Sequence, residues 1–162
     1  MRGAFVMVVK EGNKRMSIAK YITNETVLFF GRARKREIVN ALITKAGERG
    51  LISDKAAFRG AIEEREMKLS TGIGNGVAIP HAKIKGVNDF FVLTAVIESA
   101  IEWEAIDQKP VSLVFLIGGP EDKQSEYLQI LSQIMVFVRK ESTREAIMTA
   151  RSEAEIVAIF NA

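Results

Sequence analysis

The chain has 162 residues, 48% of them hydrophobic and 27% charged, an ordinary globular balance for one domain that can build its own core. It has no cysteine and one histidine, which excludes disulfides, thiolate catalysis, cysteine-based zinc sites and histidine-pair metal sites; carboxylate-only sites for magnesium or calcium stay open, although no EF-hand pattern is present. The net charge of +3 is small and spread along the chain, no recognition motif for nucleic acid accompanies it, and no apolar run approaches the roughly 20 residues that span a bilayer.

In chain order, Ala4–Val9 is a short apolar burst without the length or cleavage site of a signal peptide, and residues 1–16 are expected to be an N-terminal extension. Thr26–Phe30 is β-branched and aromatic and predicts a short strand. The cluster Arg32, Arg34, Lys35 and Arg36 reads as a solvated face before a helix, or more sharply as a docking patch for an acidic protein or nucleic acid. A helix over Arg36–Arg49 is predicted from Ile38, Val39, Leu42, Ile43 and Ala46, with Gly50 as its stop. Ser53 is expected to cap a second helix through about Glu66, with Ala57, Phe58, Ala61 and Ile62 inward.

The glycines Gly72, Gly74 and Gly76 then predict a tight loop, followed by a brief strand, Val77–Ile79, and a turn at Pro80–His81–Ala82. Phe90–Ile97 and Val111–Ile117 read as strands covered on both faces, joined by a connection or hairpin over Ala100–Pro110. Gln124–Arg139 is the strongest helix, with Leu128, Leu131, Ile134, Met135 and Val138 expected on its inner face. Ser142 with Glu145, and Ser152 with Glu155, predict capping boxes that open two short helices. The order predicts an α/β sandwich with a mixed sheet, because the middle strands lack helical crossovers.

Chemistry concentrates between Arg65 and Ala82. Gly72-Ile-Gly74-Asn-Gly76 lacks the third glycine of a dinucleotide fingerprint and is not followed by the Gly-Lys-Ser/Thr of a P-loop. A neutral imidazole is a competent nucleophile towards phosphorus, provided one ring nitrogen is free and the other is tied to a partner. The resulting phosphoryl group carries about two negative charges and needs N–H donors, hydroxyls or an arginine. His81 supplies the imidazole and Arg65 the guanidinium. Thr71, Gly74, Asn75 and Gly76 are candidate phosphate-binding or supporting residues of the loop. On residue chemistry alone, a surface histidine after an ordinary glycine turn stands as the alternative.

The stretch TGIGNGVAIPHA resembles the active-site signature of the fructose/mannitol-type enzyme IIA domains of the bacterial phosphoenolpyruvate-dependent phosphotransferase system, a group that includes nitrogen-regulatory relatives. Glu66, Ile73, Gly74, Val77, Ala78, Ile79, Pro80, His81 and Ala82 satisfy that signature, and the likeness extends over about Ser17 to Asn161. It implies a single domain over residues 17–162 with a three-layer α/β/α fold, a cytoplasmic location and no metal or organic cofactor. It implies phosphoryl uptake by His81 on Nε2 from the histidine carrier HPr, steadied by Arg65, and onward transfer to an enzyme IIB domain. In the nitrogen-type relatives the phosphorylation state instead controls binding to regulated target proteins. Many members carry a second active-site histidine at the start of the long helix, where this chain has Tyr127, a supporting residue that can hydrogen-bond but not become a cation.

Overall fold

The computed structural model describes residues 17–162, so the expected extension over residues 1–16 lies outside the described residues. A 3₁₀ turn, Ile18–Tyr21, is followed by β1 (Val27–Phe30), α1 (Lys35–Glu48) and α2 (Lys55–Lys68). Then come β2 (Gly72–Gly74), β3 (Val77–Ala78), β4 (His81–Lys83), β5 (Phe91–Ile101) and β6 (Val111–Gly119). The chain closes with α3 (Gln124–Arg139), α4 (Glu141–Thr149) and α5 (Glu153–Asn161).

The strands form one six-stranded sheet in the order β1-β5-β6-β3-β2, with β4 also pairing β6. β5 and β6 are antiparallel, while β1 runs parallel to β5, and β3 and β4 run parallel to β6, so the sheet is mixed. Period-2 alternation sends the two sets of side chains to opposite faces. Leu93, Ala95, Ile97, Val114 and Leu116 pack against Ile38, Leu42 and Ile43 of α1 and Phe58 and Ile62 of α2. Val92, Val96, Leu113, Phe115 and Ile117 pack against Ile130, Ile134 and Val138 of α3, Ile147 of α4, and Ile156 and Phe160 of α5. This is the three-layer α/β/α sandwich that the near-continuous apolar runs of β5 and β6 require.

Several local expectations shift. α2 is capped by Asp54, whose carboxylate accepts from the Ala57 N–H at 3.0 Å, one residue beyond the expected Ser53. An ionised acceptor suits the positive end of a helix better than a hydroxyl. Ser142 does not cap α4, because the chain turns out of α3 through Lys140 alone and Ser142 already lies inside the helix. Arg144 reaches back instead, donating to the Val138 and Arg139 carbonyls that α3 leaves open. Ser152 does cap α5 by accepting from the Glu155 N–H, but the Glu155 carboxylate accepts from the Arg151 N–H rather than from Ser152.

α3 is rotated relative to its predicted inner face. Tyr127, Ile130, Ile134 and Val138 are buried and Leu131 is half-buried, whereas Leu128 and Met135 are exposed. The buried stripe repeats at three and four residues starting from Tyr127, so the tyrosine expected to support the site also supplies the first member of the inner face. In α2, Phe58 and Ile62 are buried while Ala57 is exposed.

Candidate functional site

The glycine loop is a hairpin. β2 and β3 pair antiparallel, and the residues between them, Asn75 and Gly76, have φ of 58° and 77°. Two successive left-handed residues make a tight two-residue turn, for which Asn-Gly is the favoured pair. The bonds of the turn run away from the histidine: the Asn75 N–H donates to Asp107 Oδ2 at 3.0 Å, and the Gly76 carbonyl accepts from the Ser112 and Leu113 N–H groups of β6. The Lys109 N–H donates to Asp107 Oδ1 at 3.1 Å, and this bond together with that from Asn75 holds the exposed Asp107 carboxyl below the usual carboxylate range.

After β3 the chain stays on β6 and does not form the turn expected at Pro80–His81–Ala82. Val77 and Ala78 pair with Leu113 and Val114, and His81 to Lys83 pair with Ile117 to Gly119. Pro80 cannot donate to a ladder, yet its carbonyl still accepts from the Ile117 N–H at 3.0 Å, so pairing resumes at once. His81 therefore opens a short strand, beside the last turn of α2 and the first turn of α3.

The ring is oriented by the main chain. Its Nδ1 lies 2.8 Å from the Ile79 carbonyl oxygen, which can only accept, so Nδ1 carries the proton and Nε2 presents its lone pair. Arg65 Nε–H donates to that Nε2 at 3.2 Å, and Arg65 Nη1 donates to the Leu69 carbonyl at 2.7 Å, which fixes the guanidinium at the end of α2. Burial lowers the imidazole pKa below its ordinary value; the Ile79 carbonyl opposes this, and the Arg65 charge lowers it further. The ring is thus neutral at neutral pH and only partly exposed.

Tyr127 closes another side. Its ring centroid lies 5.3 Å from that of His81, tilted by 46°, and 6.4 Å from that of Phe90. The Lys83 ammonium sits 4.8 Å over the Tyr127 ring while also donating to Gln124 Oε1. Burial pushes the Tyr127 phenol up to about 12 against the Arg65 charge, so it remains a neutral O–H group.

Of the residues proposed for the site, His81, Arg65 and Tyr127 are brought together. Thr71, Gly74, Asn75 and Gly76 make no hydrogen bond to the His81 ring among the described residues. Thr71 is buried and serves a network that residue reasoning missed. Its hydroxyl donates to Glu66 Oε2 and accepts from Trp103 Nε1–H at 3.2 Å, and its N–H donates to the same carboxylate. Lys35 Nζ lies 2.9 Å from Glu66 Oε1 and 4.6 Å over the Trp103 ring. Burial opposes ionisation of Glu66, but the Thr71 hydroxyl and Lys35 prevail and hold its carboxyl below the usual range. The network ties the base of the hairpin to the helix end that carries Arg65. Glu66 was visible as part of the signature and Trp103 as the sole tryptophan; Lys35 stood out only as a member of the basic cluster, and nothing in the sequence marked the Ile79 carbonyl.

Among the described residues, no cluster of three or more His, Asp or Glu side chains could hold a metal ion, and no helix is long and apolar enough to cross a membrane.

Known proteins resemble this chain in sequence and in fold. The chain is 31% identical over 147 residues to the PTS system fructose-specific EIIABC component of Bacillus subtilis, covering 90% of this chain but 23% of that protein. It is 34% identical to the PTS system fructose-specific EIIA component of Haloferax volcanii, covering 76% of this chain and 80% of that one. The crystal structure of the nitrogen regulatory protein IIA-Ntr from Neisseria meningitidis superposes with a TM-score of 0.82 at 29% identity, covering 88% of this chain and 98% of that one. The family described as phosphoenolpyruvate-dependent sugar phosphotransferase system, EIIA 2, matches residues 20–162, and the chain belongs to it.

Proposed function

We propose that this chain is a cytoplasmic phosphocarrier of the phosphoenolpyruvate-dependent phosphotransferase system. It takes a phosphoryl group onto Nε2 of His81 from an HPr-type carrier and passes it to an enzyme IIB domain. The observation that carries this reading is a neutral imidazole with Nδ1–H held by the Ile79 carbonyl, facing the Arg65 guanidinium at Nε2.

In the forward step the Nε2 lone pair attacks phosphorus and an N–P bond forms. The N–P bond of the donor phosphohistidine breaks, and its electron pair returns to the donor ring. The Nδ1 proton of His81 stays in place, so the positive charge that develops on the ring is shared with the Ile79 carbonyl. Arg65 Nε–H, released from the lone pair, is left beside the incoming phosphoryl oxygens, where a charged donor is worth most. The return step to an acceptor thiolate reverses these moves. Positioning and electrostatics carry such a reaction, and no cofactor is called for.

The Bacillus and Haloferax relatives carry fructose-specific names, and a complex of enzyme IIA with phosphorylated enzyme IIB, of the mannitol type from Escherichia coli, shares the fold with a TM-score of 0.71. A regulatory role is the second reading. It is favoured by the likeness to IIA-Ntr and by relatives named nitrogen regulatory protein, among them one from Bradyrhizobium diazoefficiens at 30% identity.

The deciding experiment is phosphoryl labelling with phosphoenolpyruvate, enzyme I and HPr. Label is expected on the wild-type chain and none on His81→Ala; full labelling of that variant ends the assignment. Offering the phosphorylated chain to an enzyme IIB domain, and comparing what the two phosphorylation states capture, then separates transport from regulation.

A further inference from the structure

The Tyr127 hydroxyl is buried and has no hydrogen-bond partner among the described residues, although the residue sits against the His81 ring. Only 5% of Tyr127 is exposed, so water gives the group little relief. A desolvated hydroxyl without an acceptor is unfavourable, and a native structure seldom keeps one without a reason. Its neighbours narrow the choice of acceptor. The Lys83 ammonium lies over its ring, and the charge of Arg65, whose Nε–H is bonded to His81 Nε2, acts on its oxygen. A buried O–H donor without an acceptor, on a ring packed against that of the nucleophile and near two cations, is suited to an anionic oxygen attached to that nucleophile.

Building on the phosphocarrier reading, we propose that Tyr127 senses the phosphoryl group, its O–H donating to a phosphoryl oxygen on Nε2 of His81 and tying the first turn of α3 to the phosphorylated ring. No covalent bond to Tyr127 forms and no proton leaves it; burial keeps the phenol protonated and hence a donor at neutral pH. The resting protein therefore carries an unmade bond that phosphorylation makes. Leu128, the next residue, is 52% exposed, so the ordering of this turn is presented directly to a docking protein.

The test uses the full chain and potassium phosphoramidate, a small donor whose P–N bond breaks as the Nε2–P bond forms and ammonia leaves. Intact mass counts the phosphoryl group. Wild type and Tyr127→Phe are expected to take one, and His81→Ala none. Phosphorylation should raise the wild-type Tm by about 3 °C and slow amide exchange over Gln124–Ile130, a shift in keeping with one charge-assisted hydrogen bond in a domain of this size. In Tyr127→Phe both gains should vanish, the phosphohistidine should hydrolyse about tenfold faster, and the resting Tm should match or exceed that of wild type. The same Tm gain and protection in Tyr127→Phe would overturn the proposal, as would a resting Tm several degrees lower, which would mean that the hydroxyl is already bonded. An unlabelled wild type, or equal labelling of His81→Ala, removes the carrier reading itself; normal labelling with no effect of Tyr127→Phe removes the sensor alone.

Discussion

Arg65 acts twice on His81. Its Nε–H occupies the nucleophilic nitrogen at 3.2 Å, and its charge adds to burial in holding the imidazole neutral. Replacing it by alanine removes both effects. Transfer from HPr should slow by about a hundredfold to a thousandfold, the scale on which a single preorganised donor acts, while the His81 pKa should rise. Following the ring by NMR titration checks this; a wild-type pKa above that of free imidazole, or no upward move in Arg65→Ala, would count against it. The same shift links to stability. Because the folded-state pKa is depressed, the unfolded chain binds the extra proton first as the pH falls. The stabilisation is present in full above about pH 6.5 and is lost as the pH drops through the folded value. His81→Gln should flatten that part of the stability profile. At this scale the nucleophile and its arginine were legible because both sit in one short signature. The groups that orient them were not: a main-chain carbonyl carries no side-chain mark, and the Trp103 to Thr71 bond joins residues 32 apart.

The hairpin and its supporting helix differ in how they use glycine. A Cβ on Gly72 would lie 2.6 Å from Ala105 Cβ and 2.7 Å from Ala105 Cα, and the backbone cannot swing aside as a side-chain tip can. Gly72→Ala is expected to cost about 1–3 kcal/mol in a denaturant melt and to disturb the Thr71–Glu66 network next to it. Gly60, within α2, meets nothing within 4 Å, and Gly60→Ala should stabilise by about 0.5–1 kcal/mol. Equal effects of the two substitutions would show that the close approach to Ala105 does not govern the hairpin. Strands β1, β5 and β6 could be read from their apolar and β-branched runs, the three longer helices from periodicity and the last two from their cap signals. Of the hairpin only the second strand is legible, within Val77–Ile79; the first, three residues long and below any repeat, hides in the glycine loop, where only the Asn75-Gly76 pair announces a turn. The face of α3 was misassigned for a different reason: a buried tyrosine and an exposed leucine both break the polar-out, apolar-in reading, and both occur where α3 meets the site.

Among the described residues, three of the seven exposed large apolar side chains, Met67, Leu69 and Leu128, lie at the two helix ends that flank His81. Leu69, 64% exposed, follows the helix that carries Arg65, and its carbonyl accepts from that arginine; Leu128, 52% exposed, follows Tyr127. Neither contributes to a core, and an exposed apolar rim beside a reactive group fits contact with a protein donor rather than with a small one. Met67, 86% exposed, extends the rim along the same helix end. Leu69→Glu and Leu128→Glu should therefore leave stability within about 0.5 kcal/mol and leave labelling by phosphoramidate unchanged. Uptake from HPr should fall by about tenfold or more through weaker docking, because a carboxylate in such a contact must be desolvated without a partner. The comparison separates surface from chemistry: a matching loss with both donors would place the defect at the ring, and no loss with either would show that the carrier docks elsewhere.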